Sequence, residues 1–303
     1  MTPPPPPRPC VKIAVATNRG LRPQAALAML RMTAGLARLG INYGYDQEAI
    51  GGLTVARSIL AGRTQADTRY DGMLFIDDDV CGYTAEDVAR IVTSGEDVVG
   101  AALPQRTVHP DTVVAAVLAG VRGEELLRFL SPLMVVLETE RPANVRGSLL
   151  EVRRIGTGFL WISRHALDRV VTELPHTVVH LETQPTLPVP MVFDYGVDEE
   201  NNRQLIGEDY VFCSKWRELG GTVWADTQTE LGHEGEQVFA SQSLGKTYGI
   251  DKARALRDPH CVCGHPSSQH VLRDGVLACT VKGCACGPGC IHDGFVDAET
   301  SAS

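Results

Sequence analysis

The run Gly72-Met73-Leu74-Phe75-Ile76-Asp77-Asp78-Asp79 decides how the rest of this sequence is read. Its first five residues are apolar without alternation, the composition of a strand covered on both faces, and they stop abruptly at three carboxylates. Acids crowded at a strand's carboxyl end repel one another unless a cation neutralises them. A hard divalent ion, Mg²⁺ or Mn²⁺, takes carboxylate oxygens and leaves positions open for a substrate's phosphates. A solvated acidic loop is the plainer alternative.

Moving outward, Val11 to Ala16 reads as a short buried strand, and Pro23 to Leu39 carries helical apolar spacing through Ala26, Leu30, Ala34 and Leu36. Val55 to Ala66 is a second helix that leads into the acidic strand. Thr84 with Asp87 resembles a capping box for a helix to about Thr93, and Asp97 to Ala102 follows as another strand. This alternation predicts an α/β protein with a mixed, mostly parallel sheet flanked by helices. Between Pro104 and Leu150 the signals are mixed, with a helix near Glu124 to Phe129 and a strand near Leu133 to Leu137. Arg154 to Ser163, with the Gly156-Thr157-Gly158 turn, predicts a buried strand that feeds a helix over Arg164 to Thr172. Residues 173–202 read as a loop-rich flap. Glu208 to Leu219 is helical, and Thr222 to Asp226 is a strand. No GxGxxG follows a strand, which disfavours a dinucleotide fold.

The 303 residues have a formal charge of −9 and are 44% hydrophobic, an ordinary soluble composition that argues against a generally basic nucleic-acid or membrane binder. No stretch approaches the roughly 18 apolar residues of a membrane span. Residues 1–10 form a proline-rich tail with no apolar core, unlike a secretory signal, so a cytoplasmic location is expected. The main domain is placed at 11–256, and a small module at 257–303.

Several pieces in order, Val15-Ala16-Thr17-Asn18, Val55-Ala56-Arg57-Ser58, Leu74 to Asp79, Gly156-Thr157-Gly158-Phe159, Gly207-Glu208-Asp209-Tyr210 and Leu231-Gly232-His233, resemble GT-A glycosyltransferases of the family-2 type, especially those of bacteria and their phages. The resemblance covers most of residues 11 to 240 and implies a Rossmann-like GT-A fold. It also implies a nucleotide-sugar donor, a uridine diphosphate sugar, and a hydroxyl acceptor on a macromolecule: protein, glycan or modified DNA base. Under it, Asp77 and Asp79 form the DxD pair, with Asp79 a direct metal ligand and Asp77 facing the ribose or the ion. Asp78 belongs to the donor site, Thr17 holds the nucleoside, and Arg57 lies beside the base or phosphates. His233 completes the metal site, and Asp209 is the general base with Glu208 as its alternate. Plainer roles are a surface charge for Arg57, a structural loop histidine for His233, and helix capping for Glu208 and Asp209.

The chemistry can also be stated from the residues. Displacement at an anomeric carbon needs the leaving diphosphate neutralised and the nucleophile relieved of its proton. Glu208 and Asp209 open a helix after Gly207, where a helix N-terminus favours an ionised carboxylate able to accept that proton. Inversion or retention stays open.

Six of nine cysteines lie between Cys261 and Cys290. Cys261, Cys263, His265, His270, Cys279, Cys284, Cys286, Cys290 and His292 exceed the needs of one tetrahedral zinc, so one Zn²⁺, or two, is expected in a structural role. A zinc-module nucleic-acid binder with a non-catalytic α/β scaffold is the competing reading, and a two-metal phosphoesterase a third.

Overall fold

The computed structural model describes residues 9–49, 52–139, 141–182, 184–198, 203–235, 238–240, 270–273 and 276–279. The proline run at 1–8, the boundary near 257, and Cys261, Cys263, His265, Cys284, Cys286, Cys290 and His292 lie outside them.

The first half of the chain runs β1 (Cys10–Ala16), α1 (Pro23–Leu39), β2 (Asn42–Glu48), α2 (Leu53–Ala66), β3 (Gly72–Ile76), β4 (Val80–Cys81), α3 (Ala85–Val92), β5 (Val98–Ala101) and α4 (Pro110–Leu118). A 3₁₀ turn over Gly123–Phe129 leads to β6 (Val135–Leu137), β7 (Val145–Arg146), β8 (Leu149–Ile155), β9 (Phe159–Ser163) and α5 (Arg164–Glu173). Then come β10 (Val178–Leu181), β11 (Gln184–Pro190), β12 (Gly196–Asp198), β13 (Gln204–Ile206), α6 (Glu208–Glu218), β14 (Val223–Asp226), β15 (Gly232–Glu234) and β16 (Val238–Ala240). A separate hairpin pairs β17 (His270–Arg273) with β18 (Val276–Cys279).

The main sheet has the order β2-β1-β3-β9-β5-β14-β8-β6, with β7 on β8. Most of its strands point one way; β9 runs antiparallel between β3 and β5, and β8 antiparallel beyond β14. It is a mixed α/β, Rossmann-like layer with helices on both faces. Period-two alternation assigns the faces. Ala14, Ala16, Met73, Phe75, Leu160 and Ile162 pack with α2, α5 and α6, whereas Val11, Ile13, Val15, Leu74, Ile76 and Trp161 pack with α1 and α3. Both faces are therefore apolar, which is why the strands read as continuous hydrophobic runs.

The capping box at Thr84 forms, with Thr84 and Asp87 exchanging hydrogen bonds. The helix expected near Glu124 to Phe129 is a 3₁₀ helix over Gly123–Phe129. Two expectations are corrected. Residues 173–202 contain the antiparallel pair β10–β11 and the first strand of the pair β12–β13, since Pro185, Pro188 and Pro190 fall in a two-stranded ribbon with no second neighbour. Arg154 to Ser163 is two strands, β8 and β9, separated in the sheet by β5 and β14.

Strand β1 connects through α1 to β2 on one side, and the chain then returns through α2 to β3 on the other. The carboxyl ends of β1 and β3 thus flank a topological switch point, the place where open α/β sheets form a crevice. No helix among the described residues is long and apolar enough to cross a membrane.

Candidate active site

Every residue singled out in the main domain comes to the carboxyl-end edge of the sheet or to the turns around it. Asp77 leaves β3 with its backbone N–H donating to Gly158 O at 3.0 Å, which ties the acidic tip to the glycine turn between β8 and β9. A Cβ at Gly158 would lie 3.3 Å from Asp77 Oδ2, and one at Gly156 would lie 3.5 Å from Asp209 Oδ2. The bare Gly156-Thr157-Gly158 backbone therefore fits between the two carboxylates. Thr157 Oγ1 is buried there without a hydrogen-bond partner among the described residues.

Arg57 is not a surface charge. It is 3% exposed, and its Nη2 donates to both oxygens of Asp77 at 2.8 and 3.1 Å while Nη1 pairs with Glu208. Burial opposes its charge, but the carboxylates of Asp77, Glu208 and Asp209 outweigh that and raise its pKa. One guanidinium thus joins the end of β3 to the start of α6.

Thr17, at the end of β1, donates its hydroxyl to Asp78 and accepts from the backbone N–H of Gly20 at 2.9 Å. Burial raises the Asp78 carboxyl, with Asp79 and Asp77 adding repulsion against the Thr17 hydrogen bond and Arg22.

His233 reaches the acids through backbone pairing. Strand β4 directly follows Asp79 and pairs antiparallel with β15, setting Val80 opposite His233, and Glu234 N donates to Asp79 O at 2.7 Å. His233 Nε2 then lies 3.3 Å from Asp79 Oδ1, and its Nδ1 lies 2.8 Å from Pro104 O. A carbonyl only accepts, so Nδ1 carries the proton. Nε2 is left facing an anionic oxygen, an arrangement that is repulsive unless a second proton or a cation sits between them. Burial disfavours the ionised form of Asp79, yet the His233 hydrogen bond and charge, Arg106 and Arg22 hold its carboxyl below the usual aspartate range.

Among the described residues no three His, Cys, Asp or Glu side chains converge as a closed shell. The Asp79–His233 pair nevertheless fits a Mg²⁺ or Mn²⁺ centre of the kind that uses few protein donors and completes its sphere with phosphate oxygens and water.

At the N-terminus of α6 the two acids differ. Glu208 is buried and taken by Arg57. Asp209 Oδ1 accepts from Tyr210 N at 2.8 Å, and burial raises the Asp209 carboxyl, with Glu208 and Asp77 adding to the shift against Arg57. Desolvation thus opposes the stabilisation that the helix N-terminus is expected to give the ionised form of Asp209.

Sequence reading missed three contributors: Pro104 through its carbonyl, Arg106 through a 2.8 Å bond from Nη1 to Asp79 Oδ2, and Glu234, which accepts from Gln24 N at 2.9 Å at the start of α1. Only Glu234, next to His233, offered a local signal. A groove of about 570 Å³ lies elsewhere, between α1 and the turn into α3, lined by Leu27, Met32 and Tyr83.

No protein-family profile matches the sequence, and no curated protein matches it. Among solved structures, the chain is similar to A197 from STIV, with a TM-score of 0.42 and 16% identity over 77% of this chain and 94% of that one. It is also similar to a glycosyltransferase involved in the glycosylation of the major capsid of PBCV-1, with a TM-score of 0.28 and 12% identity over 55% of this chain and 69% of that one.

Proposed function

We propose that this chain is a metal-dependent GT-A glycosyltransferase that moves a sugar from a nucleotide diphosphate donor, a UDP-sugar, to a hydroxyl on a macromolecule. The observation that carries the proposal is the Asp79–His233 pair, whose Nε2 faces Oδ1 at 3.3 Å while Nδ1 is spent on Pro104. Its place beside the switch point of the sheet supports a nucleotide donor. A divalent cation bound at this pair would neutralise the charge that grows on the leaving diphosphate. Asp77 and Asp78, steadied by Arg57 and Thr17, would face the donor. Asp209 would take the proton of the acceptor hydroxyl, a task suited to a carboxylate whose proton affinity is raised by burial. Glu208, already paired with Arg57, would position rather than react.

The C-terminal cysteines and histidines enter the proposal as a structural Zn²⁺ module. Support comes from the β17–β18 ladder, where His270 stands opposite Cys279 in register and so brings two candidate ligand positions together.

Incubation with a panel of nucleotide sugars and Mn²⁺ tests the reading. Nucleoside diphosphate released only with a matching sugar donor, and lost on chelation, is the expected result. Orthophosphate release from simple esters would instead favour hydrolysis.

A further inference from the structure

The segment after β5 acts on the Asp79–His233 pair from two directions. Pro104 O receives His233 Nδ1–H, and two residues later Arg106 Nη1 donates to Asp79 Oδ2 at 2.8 Å. Gln105 N, bonded to Pro132 O at 3.0 Å, pins the backbone between them. Asp79 thus faces His233 at Oδ1 and is held at Oδ2 by Arg106.

Each acid of the triplet has a resident partner: Asp77 has Arg57, Asp78 has Thr17 and Asp79 has Arg106. The two guanidiniums differ in their freedom to leave. The Arg57 side chain is 4% exposed and locked between two carboxylates, whereas that of Arg106 is 45% exposed over a carboxylate that is only 12% exposed. Apart from Nη1, the Arg106 guanidinium has no partner among the described residues. Such a fork is permanently charged and matches phosphate geometry.

We infer that Arg106 is the resident counter-ion of Asp79, displaced when a divalent cation binds and then taken up by the donor's diphosphate. This rests on the cation reading of the site. A dication and a guanidinium repel across one carboxylate, so they compete for Oδ2. The phosphate oxygens that arrive with the cation restore the counter-charge that Arg106 loses. Asp79 has a counter-charge in both states, and the cation is held more tightly when a diphosphate has come with it.

Titration of the full chain with Mn²⁺ alone, and separately with the Mn²⁺–pyrophosphate complex, tests the exchange in wild type, Arg106→Gln and Arg106→Lys. Arg106→Gln should bind Mn²⁺ about five-fold more tightly, the factor that roughly 1 kcal/mol of half-exposed ion pair represents. It should bind Mn²⁺–pyrophosphate about five-fold or more weakly, and Arg106→Lys should stay near wild type for Mn²⁺. Unchanged or weaker Mn²⁺ affinity in Arg106→Gln, with wild type binding, overturns the counter-ion role. Unchanged pyrophosphate affinity overturns the transfer. No Mn²⁺ binding by wild type and Arg106→Gln alike overturns the cation reading itself.

Discussion

Asp209 sits where burial and chemistry pull in opposite directions. Its native carboxyl is raised, so the folded chain holds that proton to higher pH than the unfolded chain, and stability falls as pH climbs from the unfolded value, roughly 3.9, through the native one. Asp209→Asn removes the buried charge. The variant should melt at a higher temperature than wild type near neutral pH, with the gap closing below about pH 4, while diphosphate release drops about 100-fold or more. A neutral-pH melting temperature below wild type would contradict desolvation as the dominant influence. His233 separates two interpretations of its own contact. If the imidazole serves a cation, Mn²⁺ raises the melting temperature of wild type and leaves His233→Ala unmoved. If it is only an ion-pair partner of Asp79, Mn²⁺ moves neither protein. Asp79 and His233 could be nominated from sequence because an acid run after an apolar strand and the Leu231-Gly232-His233 piece are local patterns. Arg106 and the Pro104 carbonyl could not, since their roles depend on where a loop after β5 crosses the edge of the sheet.

At the level of elements, side-chain clamps supply what individual strands lack. Asp226 ends β14, is fully buried, and accepts from Arg90 at 3.1 and 2.7 Å and from Thr229 N at 2.9 Å, fastening α3 to the sheet. Burial opposes its charge, but Arg90, Thr229 and Ser148 hold the carboxyl below its usual range. Its contribution is therefore complete above the unfolded aspartate pKa and is lost as pH falls through the native value, the reverse of Asp209. Asp226→Asn should cost about 3 kcal/mol, measured as a lower urea midpoint with unchanged slope. Gly72 is a second sensitive point, because a Cβ there would meet Ile162 O and the Trp161 ring, each at 2.5 Å. Gly72→Ala should destabilise by about 1–3 kcal/mol in the same titration. Elements with two buried faces, such as β1, β3 and β5, were legible because their residues are almost all apolar, Lys12 of β1 excepted. Strand β2 was not. Its Asn-Tyr-Gly-Tyr-Asp-Gln-Glu run is polar, and Asp46 and Glu48 are matched by Lys12 and Arg63, partners brought in by a neighbouring strand and helix.

Across the whole molecule, the fold class followed from alternating apolar strands and amphipathic helices, but the sheet order did not. Nothing local to Phe159–Ser163 states that it inserts antiparallel between β3 and β5; that position follows from the turn at Gly156–Gly158 and from Phe159 and Trp161 packing with Ile76 and Leu74. Zinc belongs to this scale too. Metal analysis of the purified full chain should find at least one zinc per molecule, removable by chelation with loss of the segment's protease resistance. Zinc-free protein of unchanged resistance would reject the module. The two-residue ladder between β4 and β15 joins Asp79 to a histidine 154 positions later in the chain. During synthesis the acidic tip emerges early, yet its imidazole partner follows only after 154 further codons have been read, so a truncated translation product ending before His233 carries the carboxylates without the imidazole that faces them.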